Sequence, residues 1–294
     1  MPLSPLLASL AQHVVDGVVL GAILALPALG LALVWRIAGF PHFAHGSLMT
    51  IGAYVAWSAR VVGDLPFALA VLLGVGAATA AGLGMHLTVY SRLRGRPMLS
   101  LFLSSIGVEL FLRYAIILVF GTDFHSFPIP AERGIRLGLV VITPVDLVIL
   151  ASGVAALAAV WWMFRGTRIG RRIRAVADNP ALARLSGISP QRTLLSVWAL
   201  VSVLAAISGI LLGVRNVLSP TLGWDVLLLA FAAAILGGIT NPFGAAIGAF
   251  LMGIVGQIGI VWVPTSYQQG IAFVLIVLVL LVRPRGLFGE AVRV

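Results

Sequence analysis

Uninterrupted apolar runs, most of them about twenty residues long, fill this 294-residue chain: 13–35, 44–60, 66–90, 98–120, 141–164, 193–214, 225–240, 243–262 and 267–282. Wound as an α-helix at ~1.5 Å per residue, such a run spans the ~30 Å hydrocarbon layer of a bilayer. No soluble fold of this size could hide so much apolar surface: 61% of residues are apolar, 10% are charged, and the mean hydropathy is +1.12. Membrane β-strands would alternate apolar and polar residues over about ten positions, and these runs do not alternate. The expected fold class is all-α. It is a polytopic membrane helical bundle of about eight or nine segments, in one transmembrane domain over residues 1–294.

Composition removes whole classes of chemistry. Cys is absent, which excludes disulfides and thiolate catalysis. Lys is absent too, so neither a Walker A loop nor a lysine Schiff base can form. The nine acidic residues are scattered, and no Ser-His-Asp set, carboxylate pair or HExxH motif can be assembled. An enzyme is not expected. Residues 1–12 carry no Arg or Lys and lead straight into the first run, so no cleavable signal peptide is expected. The net charge of +10 does not point to nucleic acid, because the arginines sit in loops beside spans, where membrane orientation explains them.

Those arginines set the orientation. Arg92, Arg94 and Arg96 fill one loop, seven arginines lie in 165–192, and Arg283, Arg285 and Arg293 lie in the tail. All three clusters can face the cytoplasm, leaving Arg60, Arg133, Arg136 and Arg215 outside. The segment 44–60 is polar at its start and allows two arrangements. As a full span it gives nine crossings with the N-terminus outside and Arg36 in the cytoplasm. As a re-entrant half-helix it gives eight crossings with the N-terminus inside.

The basic loop at about 164–192 contains a short helix. Asp178 or Asn179 is its N-cap, Pro180 its first residue, and Gly187 its stop after Ala181–Ser186. Leu182, Leu185 and Ile188 give that helix an apolar face, which suits docking to a soluble partner better than standing in water. Arg171, Arg172 and Arg174 precede it and fit positive-inside topology and anionic lipid contact.

Two runs look broken, at Pro41 in GFPHFAHGSLMTIGAYVA and at Pro242 in GGITNPFGAAIGAFLMGI. Paired Gly/Pro interruptions mark transport routes and internal duplication, although Gly and Pro are also common in membrane helices generally. His42 and His45, spaced i, i+3, could hydrogen-bond freed backbone or a zwitterionic solute; a metal would need more ligands than lie nearby. Glu109 and Arg113 are four apart on one helical face. Each alone would cost about 2.5–3.5 kcal/mol near the bilayer centre, so they are expected to pair. Gly17/Gly21, Gly209/Gly213 and Gly244/Gly248 have the spacing of close helix packing.

Four motifs, in order, resemble the permease family of bacterial ABC importers for branched-chain amino acids, in the shorter of its two permease types. They are His42-Phe43-Ala44-His45-Gly46 with Gly52-Ala53-Tyr54, then Gly170, Arg171, Arg174-Ala175-Val176-Ala177, Ala181, Ala183 and Gly187-Ile188. Ala234-Ile235-Leu236-Gly237-Gly238-Ile239 with Gly244, Gly248 and Gly253 follows, and last Arg283-Pro284-Arg285-Gly286-Leu287-Phe288-Gly289. The resemblance implies a fold similar to type II ABC importer permeases, in a bacterial inner membrane, working by alternating access. It implies a second permease, two cytoplasmic ATPases that use the ATP, and an extracytoplasmic substrate-binding protein, with no cofactor or metal in this chain. On that reading His42, His45, Gly46, Gly237, Gly238 and Gly244 lie on the solute pathway. Arg171, Arg174, Ala181, Leu182, Leu185 and Gly187 couple to the ATPases.

Departures from the family pattern fall mostly in the first broken region: His42 stands where the family usually has Asn, Ser47 where it has an acidic residue, and Leu24 where it has Tyr. They leave the cargo open between branched-chain amino acids and another small polar solute such as urea, amides or aromatic acids. A non-transporting membrane scaffold is the alternative from a different class.

Overall fold

The structure, a computed structural model, describes residues 3–129, 133–264, 267–283 and 285–289. Its elements are α1 (Leu3–Ala38), α2 (His45–Val61), α3 (Phe67–Met85) continuing into a π-helical turn (His86–Tyr90), and α4 (Met98–Phe120). A hairpin of β1 (Ile135–Leu137) and β2 (Val140–Ile142) follows. Then come α5 (Pro144–Gly166), α6 (Arg168–Asp178), α7 (Pro180–Leu185), α8 (Pro190–Arg215), α9 (Leu222–Gly237), α10 (Pro242–Gly259) and α11 (Gln268–Val282). Every apolar run is a helix. Among the described residues six are long and apolar enough to cross a membrane: α1, α3 with its π turn, α4, α5, α8 and α10. α9 and the Gly270–Val282 stretch of α11 are shorter apolar helices, and α2 has 17 residues.

The bundle is all-α as expected, with one short addition: the loop after α4 carries the β1–β2 hairpin, paired antiparallel with Arg136 opposite Val141. The Gln12 side-chain amide donates to the Val141 carbonyl and accepts from its N–H, at 3.0 and 2.8 Å, standing in for a further strand. The basic loop holds a second helix beside the short one that its caps announce. Residues 168–178 form a helix of their own, discussed below.

The chain divides into two compact units, one of Met1–Ala32, Pro128–Val154 and Val226–Val294, the other of Leu33–Phe127 and Ala155–Asp225. In the first, Gly17 and Gly21 of α1 lie against the backbone of α10 at Gly253, Ile254 and Phe250, with no room for a Cβ. In the second, Gly52 of α2 meets Ala206 of α8, Gly74 of α3 covers the Gly52 carbonyl, and Gly209 of α8 faces the Met49 backbone. The small-residue spacings thus do what the sequence implies. They let helix backbones touch where apolar side chains gain little by leaving lipid.

The second unit has two ends of opposite character. At one, Arg36 at the close of α1 pairs with Asp178 at 3.1 Å. There Ile37, Arg94, Val176 and Arg184 line a common cavity. At the other end, Trp57 near the close of α2 donates to the Ser126 carbonyl at 3.1 Å and stacks on His125 at 4.0 Å. His125 in turn bridges Leu218, and Phe67 packs on Phe127. α2 therefore runs from one end of this unit to the other, which disfavours the re-entrant arrangement. The arginine-rich end holds Arg36, Arg94 and Arg184 together, as the positive-inside rule requires of a cytoplasmic face.

Candidate functional site

The first break places polar side chains in the interior. α1 stops at Ala38, Gly39 takes a φ of +73°, and helix resumes only at His45. Pro41 lacks an N–H and so cannot continue the helical ladder. His42 and His45 are fully buried. The Tyr90 hydroxyl lies 3.3 Å from His42 Nδ1, and the His42 ring stands edge-on to Trp198 at 4.9 Å. Tyr90 and His86 stack on Trp198 at 4.9 and 5.4 Å. Among the described residues His42 Nε2, both His45 ring nitrogens and His86 Nδ1 have no hydrogen-bond partner. A neutral imidazole always carries one N–H, and a buried donor without an acceptor costs about 1–3 kcal/mol. Only His45 has an unmet N–H in either tautomer, since Nδ1 of His42 faces the Tyr90 hydroxyl. Among the described residues no three His, Asp or Glu side chains come together as a metal site would need.

Beside the histidines, α2 is tied to its neighbours by backbone. Gly46 lies against Gly223, where a Cβ would meet the carbonyl, and Thr50 Oγ1 donates to the Gly46 carbonyl and accepts from Gly223 N–H. Phe43 N–H donates to Ser105 Oγ at 2.6 Å, and Ser47 Oγ donates to the Glu109 carbonyl at 3.3 Å. Glu109, only 2% exposed, accepts from Arg113 Nε and Nη2 on one oxygen, at 2.9 and 2.6 Å. The guanidinium also sits 4.7 Å over Trp224. The pair forms as its spacing implies, with a cation–π contact that the sequence did not announce.

The second break is built differently. α9 ends at Gly237, Gly238 takes a φ of +106°, and α10 starts at Pro242 with Asn241 as N-cap accepting from Gly244 N–H at 3.1 Å. The tail clasps this turn. Leu287 and Phe288 N–H groups donate to the carbonyls of Leu236 and Gly237 at 2.8 and 3.0 Å, and Asn241 Nδ2 donates to the Phe288 carbonyl. The last two sequence motifs are thus one structural feature. Gly237 and Gly244 are backbone-to-backbone contacts across it. His42, His45 and Gly46 come together in the second unit, and Gly237, Gly238 and Gly244 in the first; Pro284 and Arg293 lie outside the described residues.

At the arginine-rich end, α6 is a helix that the charge pattern concealed. Thr167 caps it by accepting from Gly170 N–H, and it buries Gly170, Ile173 and Val176 while Arg171 and Arg172 stay exposed. The apolar i, i+3 pair at 173 and 176 and the Thr167 cap were the available signals. Arg174 turns inward and donates to the Phe164 carbonyl, satisfying the last turn of α5.

α7 follows at once. Asn179, not Asp178, is its cap, accepting from Ala181 and Leu182 N–H at 3.0 Å each; Asp178 is occupied by Arg36. Its far end closes as a Schellman motif. Gly187, at a φ of +75°, donates to Arg184, and Ile188 donates to Ala183, at 3.0 and 2.9 Å. Ala183 packs inward, Ala181 is exposed, and Leu182 and Leu185 are 60% and 86% exposed. Ile188 lies past the helix end and is half-buried.

A bundle of membrane helices with two breaks, and a short capped helix with exposed leucines at the arginine-rich end of the second unit, is compatible with a membrane transport subunit. The chain belongs to the family described as the branched-chain amino acid transport system permease component, whose model matches residues 13–280. It is 32% identical to the high-affinity branched-chain amino acid transport system permease protein LivH of Escherichia coli K12, and 30% to BraD of Pseudomonas aeruginosa PAO1. Both alignments cover 95% of each protein. It is also 32% identical to the ribose import permease protein RbsC of E. coli K12, over 88% of this chain and 81% of that one. PsaBC from Streptococcus pneumoniae in complex with Fab aligns at a TM-score of 0.47 with 15% identity, over 96% of this chain and 92% of that one. That likeness is too weak to carry structural argument. The protein is the multi-pass permease component of an ABC importer, homologous to bacterial inner-membrane permeases. It acts in a complex with other subunits and is not the catalytic subunit.

Proposed function

We propose that this permease carries branched-chain or closely related amino acids, and that α7 is the element through which partner ATPases drive it. The observation that carries the coupling role is the geometry of α7. A helix of six residues is too short to hold itself together, yet this one is closed at both ends by side-chain and backbone caps. It turns Ala183 inward and leaves Leu182 and Leu185 in the open. Rigid presentation of apolar side chains is what a transient protein partner needs. The complex then contains a second permease, two cytoplasmic ATPases and an extracytoplasmic binding protein. Movement of the ATPases pushes α7, and the bundle alternates its opening between the two sides.

Replacing Leu182 and Leu185 together by Asp removes about 1.5–3 kcal/mol of burial per leucine and asks the interface to desolvate two charges. The variant is expected to insert normally, to lose its ATPases on purification and to lose uptake. Native uptake with ATPases bound would end the coupling role of α7.

The cargo assignment draws on the LivH and BraD similarity. A second reading, another small polar solute, draws on the similarity to RbsC, a ribose import permease protein. It also draws on the imidazoles of His42 and His45, which stand at the first break and offer both a donor and an acceptor. Within the second unit the solute is taken to pass these residues and Gly46; within the first, the Gly237–Gly238–Gly244 turn is the pathway candidate.

A further inference from the structure

Behind α7, at the arginine-rich end, lies a cavity of about 250 Å³ whose inner wall, Tyr90 and Trp198, also touches His42. Its apolar side is aromatic, formed by Phe40, Tyr90 and Trp198, with His86 on the same wall. Arg94 and Arg184 supply its charge, and among the described residues neither has an ion-pair partner. No Asp or Glu lies in the lining. A second, more open hollow of about 500 Å³ shares Arg94, Arg184 and Pro190, so the cavity has an outlet beside the exposed 187–191 turn. His86 adds an independent mark. It is buried, stacked on Trp198, and its Nδ1 has no hydrogen-bond partner.

We infer that this cavity binds a small organic acid, a monocarboxylate with an apolar stem of about six to eight carbon-sized atoms. The class follows from the lining. Two guanidinium groups match a carboxylate in geometry as well as charge, and His86 can donate to the same group. The aromatic wall takes the stem. An amino acid fits worse than the corresponding acid without its ammonium, because the lining offers no carboxylate to receive that cation. A phospholipid fits worse again, since its acyl chains exceed the volume. Arg94 belongs to the loop before α4 and Arg184 to α7. A bound acid therefore bridges α7 to the body of its unit and restrains it. That restraint slows transport only if α7 is the coupling helix; the binding itself does not depend on that role.

The test is calorimetric titration of the full-length chain in phosphatidylcholine nanodiscs with 4-methyl-2-oxopentanoate, and separately with leucine, which has the same skeleton plus an ammonium. Saturable binding of the oxo acid is expected, with leucine at least tenfold weaker. Arg94→Gln and Arg184→Gln, both at exposed positions, should each weaken the oxo acid about tenfold, the worth of one charge-assisted hydrogen bond, without moving the thermal midpoint. Absence of saturable binding, equal affinity for leucine, or affinity unchanged in the double variant would each overturn the assignment. So would loss of oxo-acid binding when phosphatidylglycerol replaces phosphatidylcholine, which would make a lipid headgroup the occupant. None of these readings passes through uptake, so they stand apart from the fate of the Leu182/Leu185 experiment.

Discussion

At the scale of single residues, His45 is where stability and function part company. Both its ring nitrogens are buried and lack hydrogen-bond partners, and desolvating a donor without an acceptor costs about 1–3 kcal/mol. Glu109 is a useful contrast. One of its carboxylate oxygens is met by Arg113 at 2.6 Å and the cation by Trp224, while Oε2 is buried without a hydrogen-bond partner among the described residues, so the ion pair explains the charge though not every polar atom. Leucine at position 45 would fill similar space and remove the unmet donor. His45→Leu is therefore expected to leave the thermal midpoint unchanged or raised while uptake falls at least tenfold, about 1.4 kcal/mol or more of lost interaction with the passing solute. Unchanged uptake in a stable variant would take His45 off the route. Gly46 and Gly244 cannot serve this test. A side chain at either would press on a neighbouring backbone, at Gly223 or Gly237, and disturb helix packing before it reached any solute. The sequence disclosed the i,i+4 salt bridge because its partners are near neighbours. It could not disclose that His42 meets Trp198, because that contact joins distant segments.

At the scale of elements, the two helices of the basic loop differ in how they are held. α7 was legible because its stop and start signals are local: Asn179, Pro180 and Gly187 act on backbone within a few residues. α6 was not. Its four arginines read as topology, and the helix depends on burying Ile173 and Val176 beneath neighbours that only the fold brings near. The tail clasp on the α9–α10 turn was hidden for the same reason, since Leu287 and Phe288 pair with the backbone of Leu236 and Gly237, far back in the chain. α7 offers a graded test. Gly187→Val puts a β-branched residue at a φ of +75°, a strain of about 1–3 kcal/mol, without touching Leu182 or Leu185. The Schellman bonds to Ala183 and Arg184 should loosen while the docking side chains persist. Uptake intermediate between native and the double Asp variant is expected, with ATPases still co-purifying. Wild-type uptake from Gly187→Val would mean that the rigidity of α7 is irrelevant to coupling.

At the scale of the molecule, the apolar runs dictated the helices, and the arginines dictated which ends of them share a side. What they left open was the path of α2, because its first turns are polar and its 17 residues fall short of a comfortable span. Contacts within the second unit supply the missing constraint. Arg36 is bound to Asp178 next to α7, and Trp57, near the other end of α2, is bound to the loop after α4. A re-entrant α2 would return its end toward the arginines, which these partners oppose. The charge imbalance between the two ends then orients the unit, since moving a basic cluster across the bilayer is strongly disfavoured during insertion. The absence of cysteine makes this directly measurable. Ser186→Cys sits beside α7, Asp64→Cys follows α2 at the opposite end, and both positions are exposed. With a membrane-impermeant maleimide on intact spheroplasts, position 64 should label and position 186 should not. In inverted vesicles the pattern should reverse. Labelling of both positions from the same side would mean that α2 turns back, and labelling of 186 from outside intact cells would invert the orientation and remove α7 from any cytoplasmic ATPase.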